Sequence, residues 1–175
     1  MKWKIFTLAI LVPAVLLAVI WQPALNAYYL FRARDLAKSR EYEEAAHLYK
    51  RIIANDPEHK VALRGLGNCY SLSGRHRQAI GLYRKAADLG DVPSLRQLAG
   101  VYVITKEYES LKIIVPKLLE HKGDDPEFLN YVLISALQSK DENLFRKAME
   151  GVDTTGVHKD TLSLLNIASN IFSPQ

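Results

Sequence analysis

Three residue pairs recur at one spacing, and that spacing limits what this chain can fold into. The pairs are Ala33 and Gly67, Ala45 and Ala79, and Tyr49 and Tyr83. Their shared separation of about 34 residues marks stacked copies of one supersecondary unit, each too small to bury its apolar face alone. The rest of the pattern is helical. No alternating strand-like run of any length occurs beyond residue 24. Short breaks recur at Ser39-Arg40, Asn55-Asp56-Pro57, Ser73-Gly74, Gly90-Asp91-Val92-Pro93, Lys106, Gly123 to Pro126 and Ser139-Lys140. They divide the chain into helices of about 12–15 residues, paired as hairpins.

The residue types follow from packing. Two antiparallel helices that cross closely need a small side chain at the contact. Ala33 with Ala45, and Gly67 with Ala79, supply such pairs, and Tyr49 and Tyr83 fill the space beside them. Pro57 cannot continue the helix before it. Gly74 permits a tight turn.

From Val61 to Asp91 the order is Leu66, Gly67, Tyr70, Gly74, Ala79, Tyr83 and Ala86. This resembles the tetratricopeptide pattern: leucine, glycine and tyrosine, then alanine, then an aromatic residue four further on. The preceding stretch repeats it with Ala33, Leu36, Tyr42, Ala45, Tyr49, Ile52 and Pro57. Repeats are expected over about 26–58, 60–91 and 92–125. A degenerate one follows over 126–151, and a capping helix over 160–172. In the third, Leu98, Ala99, Tyr102 and Tyr108 keep the first helix and its turn. Leu111 and Val115 replace the small and aromatic residues, and Pro116 predicts a kink or a late helix start. In the fourth no small pair can be matched. The expected fold is all-α: an α-solenoid of about three to four such hairpins over residues 25–175.

Ahead of it stands an apolar run from Ile5 to Trp21, interrupted only by Thr7 and Pro13. As a helix it would be roughly 25 Å long, close to the hydrocarbon thickness of a bilayer. Lys2 and Lys4 precede it, and Trp3 and Trp21 flank it. Residues 1–24 are expected to be a transmembrane signal anchor. The N-terminus would be cytoplasmic and the repeats outside, periplasmic in a bacterium. The alternative is a cleavable signal peptide ending after Ala27, although Leu25 stands where a small residue is preferred.

Nothing points to catalysis. The five histidines are scattered, none three or four positions from another, so metal-ligand spacing is absent. Cys69 is the single cysteine, which excludes an internal disulfide. Gly65-Leu66-Gly67 lacks the lysine and hydroxyl residue of a phosphate loop. Asp124, Asp125 and Glu127 read as a linker and helix start. An enzyme, a cofactor, a small-molecule substrate and a nucleic-acid partner are not expected.

Charge divides the chain. From Ala24 to Gly90 there are 12 Lys/Arg against 7 Asp/Glu, a net of +5; from Asp91 to Gln175 there are 9 against 12, a net of -3. The basic half would attract an acidic partner segment or anionic headgroups.

The resemblance implies a concave face lined by the first helix of each hairpin, and a scaffold that holds peptides or helices of other proteins. On that alignment Leu30 and Arg34, Arg64 and Asn68, and Arg96 and Gly100 face inward. Arginine and asparagine there suit carboxylates and backbone amides. A known chaperone-tail clamp would have a lysine where Leu30 stands and an asparagine where Gly65 stands. The expected function is a membrane-tethered interaction scaffold. The alternatives are an accessory subunit of a membrane complex and an exported repeat protein.

Overall fold

The computed structural model of the chain describes residues 21–121, 127–150 and 159–172. The described residues are all-α, as expected. The first helix, α1, covers residues 21–38. Then come α2 (Tyr42–Asn55), α3 (Lys60–Leu72), α4 (His76–Asp88), α5 (Val92–Thr105), α6 (Tyr108–Glu120), α7 (Glu127–Ser139), α8 (Glu142–Met149) and α9 (Lys159–Phe172). The chain divides between Leu89 and Gly90 into two compact units.

In the first unit α3 packs against both α2 and α4. Its buried residues include Leu63, Gly65, Leu66, Gly67, Cys69 and Tyr70. Ala33, Ala45 and Ala79, three of the residues assigned to helix crossings, have no solvent exposure. Helix α2 stops at Asn55, ahead of Asp56 and Pro57. In the second unit α7 is the hub, touching α5, α6, α8 and α9. Val92 and Pro93 open α5 rather than break it: Asp91 caps the helix by accepting from the Ser94 N–H at 3.1 Å. Proline is tolerated in a first turn, where its missing N–H would have no partner anyway. Pro116 sits inside α6, and the late start expected there is not seen, because α6 begins at Tyr108.

Four interhelical turns within hairpins share one device. Arg40, Gly74, Lys106 and Lys140 have φ of 65, 75, 59 and 52°, in the left-handed region. In each, the next residue donates its N–H back across the turn: Glu41 to Leu36 O, Arg75 to Tyr70 O, Glu107 to Tyr102 O and Asp141 to Ala136 O, at 2.8–3.0 Å. This is the helix-ending motif that satisfies two otherwise orphaned carbonyls. The four turn residues follow one another at nearly equal intervals, and so put the fourth hairpin in register with the others along the sequence. In that register the crossing pair grows along the chain, from Ala33/Ala45 and Gly67/Ala79 to Ala99/Leu111 and finally Leu133/Phe145.

The expected single-pass membrane placement, with the repeats outside the cytoplasm, is corrected. Among the described residues no helix is long and apolar enough to cross a membrane. Helix α1 carries Arg32, Arg34, Asp35 and Lys38, all exposed, and each would be costly in hydrocarbon. Apart from Trp21, the apolar run on which that expectation rested lies outside the described residues.

Candidate functional site

The first unit builds its site on α1 and α3. Helix α1 contributes Leu30, half-buried, and Arg34, exposed; α3 contributes Arg64 and Asn68, both half-buried. Two tyrosines from the second helices of the hairpins reach between them. Tyr49 of α2 lies over Gly65, so closely that a Cβ there would stand 2.4 Å from Cζ of the ring. Tyr83 of α4 lies over Gly67, where a Cβ would stand 2.6 Å from Cε1. Two glycines in one helix thus let two buried rings lie against its backbone from either side.

The Tyr83 hydroxyl donates to Asn68 Oδ1 at 2.7 Å. With its carbonyl engaged, the Asn68 amide has its NH2 turned away from Tyr83. Burial, then the nearby Cys69, push the Tyr49 phenol above the ordinary tyrosine range, while Arg34 and Arg64 both pull it back. The two guanidinium groups come from different helices, α1 and α3. Arg34, Arg64 and the Asn68 NH2 are donors only. What they can hold is an acceptor: a carboxylate or a main-chain carbonyl. Leu30 lies to one side and lines an open cleft of about 580 Å³ with Asn26, Asn55 and His59.

In the second unit the predicted residues take another arrangement. Arg96 faces Glu127 of α7, with Nη1 3.6 Å from Oε2. Gly100 lies beneath Tyr131, whose hydroxyl would be 3.2 Å from a Cβ there. Asn130 follows Arg96 at the same interval by which Lys140 follows Lys106, and so holds the matching position of the fourth hairpin. Its Oδ1 is buried with no hydrogen-bond partner among the described residues. Sequence reasoning assigned the two tyrosines to space-filling, read Glu127 as part of a linker and helix start, and missed Asn130 and Tyr131 as site residues. The tyrosine signal was present: both repeat positions carry a hydroxyl where phenylalanine would fill the same space.

Cys69 is buried between these groups, and burial pushes its thiol up to about 11. Tyr83 is raised as well, chiefly by burial and against a hydrogen bond with Ser71. The unfolded thiol titrates near 9.0. Below that pH both states keep the proton. Above it the unfolded chain releases a proton that the folded chain retains, so stability falls as pH rises through about 11. Urea midpoints measured upward from neutral pH should therefore decline beyond about pH 9. Cys69→Ala should flatten the first part of that decline. A flat profile in the unsubstituted protein would refute this account.

Among the described residues no group of three or more His, Cys, Asp or Glu is placed to hold a metal ion. The two units define the class: an all-α protein made of helical hairpins with a common turn. A family model described as tetratricopeptide repeat matches residues 32–92, the stretch that contains the three matched spacings. No curated protein matches the chain. Among solved structures, the chain is similar to YrrB, a TPR protein with an unusual peptide-binding site. The sequences are 20% identical, over 82% of this chain and 84% of that one, with a TM-score of 0.46.

Proposed function

We propose that this chain is a protein-interaction scaffold that holds an acidic segment of a partner on the α1–α3 face. The supporting observation is the Asn68 amide, whose carbonyl is engaged by the Tyr83 hydroxyl so that its NH2 is left as a donor one turn from Arg64 on α3. The face offers donors and no carboxylate of its own among the residues named. Its recognition would be of acceptor-rich peptide, with charge setting the encounter rate and hydrogen bonds the register. Recruitment, rather than chemistry, is the mechanism: a bound partner is kept at raised local concentration. In the second unit Arg96 and Asn130 extend the same reading, with Glu127 tempering the charge of Arg96.

The test is a peptide array spanning acidic, neutral and basic sequences, probed with the full chain. Acidic peptides should be retained, and retention should fall as salt rises. The double variant Arg34→Glu/Arg64→Glu should lose them by about tenfold or more while still unfolding cooperatively, since Arg34 is exposed and Arg64 only half-buried. If that variant keeps the same peptides at the same strength, the α1–α3 face is not the binding site.

A further inference from the structure

Helix α4 carries a glycine that no contact among the described residues explains. Gly81 sits in the middle of His76–Asp88 and is exposed. A Cβ built on it meets no atom of the described residues within 4 Å. Gly65 and Gly67 are the contrast, since each makes room for a tyrosine ring. A mid-helix glycine weakens a helix relative to alanine, and at Gly81 no internal contact offsets the loss.

The neighbourhood of Gly81 has a definite chemistry. The buried side of α4 is Ala79, Ile80, Tyr83, Ala86 and Ala87. Gly81 is centred on the opposite side, and the neighbours one turn away on that side are Arg77, Gln78, Arg84 and Lys85, all exposed. Asp88 is the acidic group a further turn along. A glycine ringed by cations is a place where another backbone can come close while its flanking carboxylates meet positive charge. Small residues at a crossing are what let two helices approach closely.

We propose that the solvent face of α4, centred on Gly81, docks an acidic helix of a partner protein. The charge of the ring selects acidic side chains, and the missing Cβ selects a close-packed helix backbone over a loosely held chain. This surface stands independently of the α1–α3 face, which lies on other helices.

The experiment uses the full chain and a labelled helical peptide with alanine along one stripe and glutamate on both flanks, followed by fluorescence anisotropy. The expected result is salt-sensitive binding that falls about tenfold or more in Gly81→Leu, and equally in Arg77→Glu/Lys85→Glu. Arg34→Glu/Arg64→Glu should leave this affinity unchanged, which separates it from the α1–α3 reading. A peptide with lysine on its flanks should not bind. Thermal melting of Gly81→Ala and Gly81→Leu should occur at or a few degrees above that of the unsubstituted protein; a lower melting temperature would make Gly81 a packing glycine and overturn the idea. So would absence of peptide binding, or equal binding by Gly81→Leu. Tighter, Gly81-dependent binding of duplex DNA would replace the acidic helix with a phosphate backbone. Self-association abolished by Gly81→Leu would replace it with a second copy of this chain.

Discussion

Tyr83→Ala is expected to destabilise the protein by about 3–5 kcal/mol, the range for removing a large buried aromatic side chain. The ring is 1% exposed and rests against the α3 backbone at Gly67. Nothing small can fill that space without moving α3 toward α4. Since whole domains are stable by only about 5–15 kcal/mol, the loss would remove a large share of the folded population's margin. Tyr83→Phe separates the two contributions. It keeps the ring and removes the hydroxyl that donates to Asn68, so it should cost about 0.5–1.5 kcal/mol. It also releases the Asn68 amide and should weaken peptide retention on the α1–α3 face. Urea unfolding of the three proteins provides the comparison. If Tyr83→Ala cost no more than Tyr83→Phe, the ring would not be the wedge between α3 and α4.

Gly65→Ala is the second large effect, and it comes from adding one carbon. The new Cβ would stand 2.4, 2.5 and 2.8 Å from Cζ, Cε1 and Cε2 of Tyr49. Tyr49 is itself buried, so its ring has no solvent-side position to swing into without leaving the core. Overpacking of this kind costs about 1–3 kcal/mol. The clash lies at the far end of the ring, which a shorter side chain does not reach. Tyr49→Leu alone should destabilise, but combined with Gly65→Ala it should cost less than the two losses added together. A double-mutant cycle measures that coupling. Strict additivity would mean that Gly65 and Tyr49 do not touch in solution.

The parts of the fold legible in the sequence were those carried by small or aromatic side chains at fixed separation. Ala33, Ala45, Gly67, Ala79, Tyr49 and Tyr83 announced the first two hairpins because close crossing admits few residue types. The fourth hairpin was illegible for the same reason: with Leu133 and Phe145 at its crossing, no small pair remains to be matched. Gly65 was noticed as part of a rejected phosphate-loop match and as a departure from a known groove pattern, not as a packing site, since its partner Tyr49 belongs to the neighbouring hairpin. Arg34 and Arg64 were found by alignment. Their shared lowering effect on the Tyr49 phenol was not, because it depends on how α1, α2 and α3 meet. The pairing of Arg96 with Glu127 joins two different hairpins, and no local pattern links those positions. At the N-terminal end an apolar run with basic and tryptophan flanks suggested a membrane placement, but among the described residues no helix is long and apolar enough to cross a membrane.

The turns at Arg40, Gly74, Lys106 and Lys140 bear on how such a chain changes over generations. Their closing bonds run from main chain to main chain, so they ask almost nothing of the side chain. An ordinary residue can stand in the left-handed conformation at a strain of about 1–2 kcal/mol. Mutation can therefore erase the glycine, the alanines and the aromatics of one copy while the distance to the next turn survives. Within this chain the copies differ in their small and aromatic residues while the turns stay at nearly equal intervals, so a copy without the recognisable residues still keeps its place in the series.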